Sequence, residues 1–322
     1  MIEKYYCGVI EQIYSRIGKE TRNIVMANYS NDFSIENLEV IRRYQSNEDN
    51  VFFAYSEFSY NTLVGAYEPF LDIICNMHRH FIGGSFDDFQ KECGIYYLHR
   101  QVLNSYYETG ECFRDETVLL NEVPYEQRRM TIAIVEMLKR LSEVKPLMIV
   151  INRFQMASKS SIETIKYLID NPCANIGIVL GVNAIVKGTD STVEVWDRIV
   201  ESLEDRSAIY YIGSAGPLKN NVKTTNGDEL YITMNFEQSI QEASNIMEFL
   251  DFEQARRDCR IIEHKLKFED AWIDEKSLRR FYMVYARTSV LLGEMSKAIE
   301  LTNEYKALIP ENDSEHYLSL YY

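Results

Sequence analysis

The chain has 322 residues, more than one hydrophobic core usually serves, so two domains are expected. Hydrophobic residues make up 46% and charged residues 26%, a globular balance that excludes a largely disordered chain. The formal net charge of −15, from 49 acidic against 34 basic side chains, repels nucleic-acid phosphates and anionic membranes and argues against either as a direct partner.

The opening residues MIEKYYCGVIEQIYSRIGKE lack the unbroken apolar core of an export signal, and no run approaches the ~20 apolar residues that span a bilayer. The six cysteines are scattered without a CxxC pair, which implies reduced thiols and a cytoplasmic protein. From there the first two thirds alternate short apolar runs with helical patterns. That alternation predicts an α/β domain built on a mostly parallel sheet.

Strands are expected at residues 23–27 (NIVMA), 51–55 (VFFAY), 147–151 (LMIVI), 176–181 (IGIVLG) and 208–212 (AIYYI). The third and fourth are almost continuously apolar, as strands covered on both faces are. Helical periodicity marks residues 35–44, 126–141 and 160–170. Residues 80–84 (HFIGG) predict a loop, and 86–107 a helical insertion between the second and third strands.

Cys75, His78, His80, Cys93 and His99 fall close together, but their spacing fits buried cysteine with surface histidine better than a zinc knuckle. No metal site is expected. After about residue 233 the strand signals stop and amphipathic helices follow. The boundary is expected near residues 227–234, giving an α/β domain over 1–232 and an all-α domain over 233–322.

Residues 146–169 (PLMIVINRFQMASKSSIETIKYLI) resemble the Walker B stretch of STAND-class regulatory ATPases, relatives of the AAA+ P-loop NTPases. Phe154, Gln155, Ala157 and the pair Ser160-Ser161 match that family's pattern. The departures are chemical: the acidic pair becomes Asn152-Arg153, and the later aspartate becomes Ser158. A Walker B acid holds the magnesium shell and helps position the attacking water; asparagine brings no charge and arginine brings the wrong one.

The phosphate-binding loop has drifted as well. On the resemblance it should follow NIVMA as GxxxxGK[ST], yet the glycine positions carry Asn28 and Phe33. The lysine position carries Ser34 and the hydroxyl position Ile35, while Asp32 adds a charge that repels phosphate. No lysine occurs between Lys19 and Lys91 to rescue the motif. The resemblance thus implies a P-loop NTPase-like sheet without hydrolysis, and disfavours ATP and magnesium as cofactors.

Residues 279–312 resemble a tetratricopeptide repeat. Tyr282, Tyr285 and Ala286 take its large-large-small positions, Gly293 marks the turn, Ala298 sits in the second helix and Pro310 closes the unit. An earlier unit is legible around Ala243 and Ala255. A third begins at residues 314–322, which implies either a longer parent chain or a capping helix. The two resemblances together imply a non-catalytic regulatory or scaffolding protein that binds a protein or peptide through its repeats, with self-association open. The alternatives are a divergent nucleotide-binding STAND ATPase and a transcription regulator whose effector domain lies outside this chain.

Overall fold

The computed structural model describes residues 2–29, 44, 50–58, 63–114, 118, 121–183, 193–212, 235–268 and 273–309. The chain divides into two compact units, Met1–Arg100 with Arg128–Tyr231 and Gln101–Gln127 with Ile232–Tyr322. The second unit therefore takes in residues 101–127, which a single cut near 227–234 assigns to the first.

The first unit opens with helix α1 (Ile2–Arg16), an element the strand and helix patterns of the sequence analysis do not include. Its buried residues Tyr6, Val9, Ile10 and Ile13 fall at one helical face, the i, i+3, i+4, i+7 pattern of a core-facing helix. Burying them contributes roughly 1.5–3 kcal/mol per large side chain. Strands β1 (Ile24–Tyr29) and β2 (Phe52–Glu57) follow, then α2 (Phe70–Met77). A π-helical turn at His78–Ile82 replaces most of the loop expected at 80–84.

The insertion at 86–107 is two helices, α3 (Phe86–Glu92) and α4 (Tyr97–Thr109), separated at Gly94. Then come α5 (Val123–Val144), β3 (Leu147–Asn152), a 3-10 turn at Phe154–Met156, α6 (Lys159–Asp170) and β4 (Ile176–Asn183). Helix α7 (Val193–Glu204), which the periodicity reading does not include, leads to β5 (Ile209–Ile212). The helix expected at 35–44 lies outside the described residues except for Tyr44.

All five strands form one parallel sheet in the order β2-β3-β4-β1-β5. This is the predicted α/β class. β3 and β4 are buried along their whole length, which is why their sequences read as unbroken apolar runs. Strand β1 sits between β4 and β5, so the chain leaves β1 in one direction along the sheet and crosses over it in the other. Right-handed crossovers then require helices on both faces.

One face belongs to α1. Tyr6, Val9, Ile10 and Ile13 join Val25, Ala27 and Tyr29 of β1, Phe53 of β2, Met148 and Val150 of β3, and Val179 of β4 in one core. Tyr44 stacks on Tyr14 at 4.2 Å and on Phe53 at 5.6 Å, extending the same face. Two glycines of β4 let the helix approach. A Cβ on Gly177 would lie 2.9 Å from Ile17, and one on Gly181 would lie 2.6 Å from the Tyr6 hydroxyl.

The second unit contains α8 (Phe236–Glu248), α9 (Phe252–Phe268), α10 (Glu275–Leu291) and α11 (Met295–Ala307). Helix α8 packs on α9 and α10, and α10 on α9 and α11. Asn235 caps α8 and Asp274 caps α10, each accepting from the backbone three residues on. Gly110, Cys112 and Gln127 are tied to this unit by hydrogen bonds. Cys112 N–H donates to Asn245 Oδ1 at 2.9 Å, Asn245 Nδ2 donates to the Gly110 carbonyl at 3.0 Å, and Gln127 Nε2 donates to the Leu250 carbonyl at 2.6 Å.

Candidate functional site

In an open parallel sheet the carboxyl ends of the strands, at the point where strand order reverses, are where ligands are bound. Here that edge is made by Asn28 and Tyr29 of β1, Asn152 of β3, Asn183 of β4 and Glu57 of β2. Of the residues that the sequence reading aligns with the Walker motifs, Asn28, Asn152 and Arg153 are on it. Asp32, Phe33, Ser34 and Ile35 lie outside the described residues.

Asn152 is fully buried. Its Oδ1 accepts a 2.6 Å hydrogen bond from the Tyr29 hydroxyl, which reaches across β4 from β1. The reach is possible because the residue between them is Gly181, whose added Cβ would stand 2.8 Å from that same Oδ1. Tyr6 of α1 closes the group, its ring edge-on to Tyr29 at 6.5 Å. Burial first, then the neighbouring phenols and Glu57, hold the Tyr6 hydroxyl well above its ordinary pKa, so it stays neutral. The Asn152 side-chain oxygen is thus engaged with Tyr29 in a buried cluster under a helix.

Arg153 follows β3 in a left-handed conformation, φ 53°, before the 3-10 turn. Its guanidinium meets the Glu57 carboxylate at 2.8 Å and the Phe58 carbonyl at 3.4 Å, both at the end of β2. Tyr55 donates to the same carboxylate. The cation therefore has an internal counter-ion, and the pair is largely shielded from solvent, at 19% and 17% side-chain exposure. This pair ties the carboxyl ends of β2 and β3 together.

Asn28 does not join this group. Strand alternation places it on the face opposite Tyr29, so Asn28 and Asn152 do not form one site. It is fully buried and neither amide atom has a hydrogen-bond partner among the described residues. Gln155, one of the residues matching the family, accepts from the Asn183 N–H at 3.3 Å and so pins the end of β4.

The matching serines also have structural work. Ser158 caps α6, its Oγ accepting from the Ser161 N–H at 3.4 Å. Ser160 Oγ accepts from the Tyr67 N–H at 2.9 Å, and Ser161 Oγ donates to the Glu68 carbonyl at 2.6 Å. Tyr67 is itself left-handed at φ 58°, so these bonds hold a strained turn.

In the second unit Ala243, Ala255 and Ala298 are buried at helix contacts, at 1%, 0% and 4% exposure. Tyr285 is buried, whereas Tyr282 and Ala286 are only partly covered. Gly293 takes φ 76° in the turn between α10 and α11. Pro310 lies outside the described residues. No pattern in the sequence singles out Asp258, which is fully buried in α9. Gln254 Nε2 donates to its Oδ1 at 2.9 Å, and its Oδ2 has no partner among the described residues. Burial pushes its carboxyl up from an ordinary 3.8 to about 8.

The histidine and cysteine cluster corrects one expectation. His78 is fully buried, not on the surface, with its ring 5.0 Å from Phe86 and 5.2 Å from Phe89. Burial accordingly lowers its pKa. Among the described residues no three His, Cys, Asp or Glu side chains are grouped to hold a metal ion. No protein-family model matches the chain, and no curated protein is similar to it at a significant level.

Proposed function

We propose that this chain is a non-catalytic regulatory or scaffolding protein. Its first unit is a STAND-class-like, P-loop-type domain that has exchanged nucleotide chemistry for structural contacts. Its second unit is a tetratricopeptide-like platform for a protein or peptide partner. The observation carrying this reading is the engagement of both Walker B positions: Asn152 accepts from Tyr29, and Arg153 is paired with Glu57.

The physical argument is one of charge. A magnesium–triphosphate complex needs a carboxylate facing the metal, and a neutral carboxamide buried under α1 supplies none. The Arg153 cation repels a metal, and releasing it would leave Glu57 without its counter-ion in a poorly solvated place. The parallel sheet with β1 between β4 and β5 and the small residues at the helix contacts of the second unit support the same reading. The strong negative charge and the scattered thiols favour a cytoplasmic protein that does not touch nucleic acid itself.

Isothermal titration of the full chain with ATP and ADP, each with magnesium, together with a phosphate-release assay, tests the proposal. No turnover is expected, and Arg153→Asp should not create any. Micromolar binding accompanied by hydrolysis would overturn it in favour of a divergent ATPase.

A further inference from the structure

The opposite edge of the same sheet, where the strands begin, carries a cavity of about 210 Å³. It is bounded by the end of α1, the start of β1, the residues after α6 and the turn from α7 into β5. Arg16, Arg22 and Arg206 line it against a single carboxylate, Glu20. That is three cations to one anion, in a chain whose formal net charge is −15. Local inversion of so strong an overall charge needs a cause.

Part of the cause lies in the helices. Their carboxyl-terminal ends carry partial negative charge, which arginine offsets. Arg206 Nη1 donates to the Ile169 carbonyl at 2.6 Å, in the last turn of α6, and Arg16 closes α1 with Glu20 at 3.7 Å. Helix ends do not account for Arg22. It is exposed, and no hydrogen bond or ion pair engages it among the described residues.

The remaining lining is mostly apolar, with Ile24, Ile169 and Pro172 among it, and includes three hydroxyl side chains, Thr21, Ser207 and Tyr210. Ser207 holds a left-handed backbone at φ 52°, a conformation that costs a non-glycine residue on the order of 1 kcal/mol and recurs where loops shape a site. Asn23, fully buried, fixes the floor by donating to the Glu20 carbonyl at 2.6 Å and the Ala174 carbonyl at 3.2 Å.

We propose that this cavity binds a compact dianion of the phosphate class, either inorganic phosphate or the phosphate of a small monoester. Guanidinium groups offer the forked donors that fit phosphate oxygens, and the hydroxyls complete the set. The size selects against a nucleotide, since sites enclosing larger organic ligands run to about 300–1,000 Å³. This site is independent of the Walker positions, which lie at the other end of the strands, so each proposal stands or falls alone.

The test is isothermal titration of the full chain with inorganic phosphate and, separately, with glycerol phosphate, at constant ionic strength. Saturable binding is expected for at least one, and which of the two binds more tightly identifies the source of the phosphate group. Arg22→Glu should weaken it at least about tenfold, while Arg22→Lys, which keeps the charge but loses the forked donors, should weaken it by less than Arg22→Glu does. Because Arg22 is exposed, the far-ultraviolet circular dichroism of both variants should match the parent. Heat no greater than that of sodium chloride at equal ionic strength would overturn the proposal, as would equal affinity in a folded Arg22→Glu protein. Should Arg22→Glu fail to fold, Arg22→Gln decides by the same criterion.

Discussion

The Tyr29 hydroxyl and the Asn152 side-chain oxygen meet at 2.6 Å across a strand that lies between them, over the bare backbone of Gly181. Three strands and α1 are joined at this contact, since Tyr6 covers the same glycine. Replacing Tyr29 by Phe removes the donor and should cost about 0.5–1.5 kcal/mol, the usual net worth of such a bond. Urea unfolding monitored by circular dichroism would measure it, and an unchanged midpoint would contradict the bond's structural role.

The two glycines under α1 should differ in tolerance. At Gly181 an added Cβ meets the Tyr6 hydroxyl at 2.6 Å and Asn152 Oδ1 at 2.8 Å, both in a fully buried cluster. Gly181→Ala should cost about 1–3 kcal/mol through overpacking. At Gly177 the nearest atoms, at 2.9 Å, belong to Ile17, a partly exposed side chain at the end of the helix that can turn away, with the buried Ile13 at the looser 3.0 Å. Gly177→Ala should therefore cost less. Parallel denaturation curves would rank the pair.

Arg153 combines a left-handed backbone with a shielded ion pair, so two substitutions separate the effects. Arg153→Ala loses the Glu57 pairing and keeps the backbone strain, and should destabilise by about 1–3 kcal/mol. Arg153→Gly loses the same pairing but takes φ 53° without strain, recovering on the order of 1 kcal/mol. Equal stability of the two variants would mean that the left-handed turn contributes nothing.

Asp258 makes the second unit sensitive to pH. Its folded pKa, pushed up to about 8 from an ordinary 3.8, means that the folded state keeps a proton the unfolded chain releases. For this group, stability is fully present below about pH 4, declines as pH rises toward 8, and levels off above. Arg257 opposes the shift, while Asp251 and Glu242 add to it. Asp258→Asn mimics the protonated acid, so it should raise the melting temperature at pH 8 by more than at pH 5. Identical increments at both pH values would reject the assignment.

How much of this was legible beforehand depends on how local each signal is. The runs LMIVI and IGIVLG announce β3 and β4, because a strand covered on both faces needs apolar residues at every position. Helix α6 is equally plain, with a serine cap followed by Ile162, Ile165 and Leu168 on one face, all buried. Helix α1 also leaves a local signal, the helical spacing of the apolar Tyr6, Val9, Ile10 and Ile13. The burial of His78 was not, since its cover comes from Phe86 and Phe89 of a helix whose packing no local pattern reveals.

The residue types at positions 152 and 153, an asparagine and an arginine, carry the charge argument of the proposed function without any coordinates, because charge is a property of the side chain alone. What fills their place depended on tertiary structure. Tyr29 reaches Asn152 only because parallel pairing sets β4 between them with glycine at the crossing point, and Glu57 meets Arg153 only because β2 and β3 are neighbours. The same holds at the other edge, where Arg206, far along the chain from Arg16 and Arg22, lines the same cavity because α1 and α7 end where the strands begin. Apolar periodicity is written along the chain, whereas polar partnership is decided by which strand lies beside which.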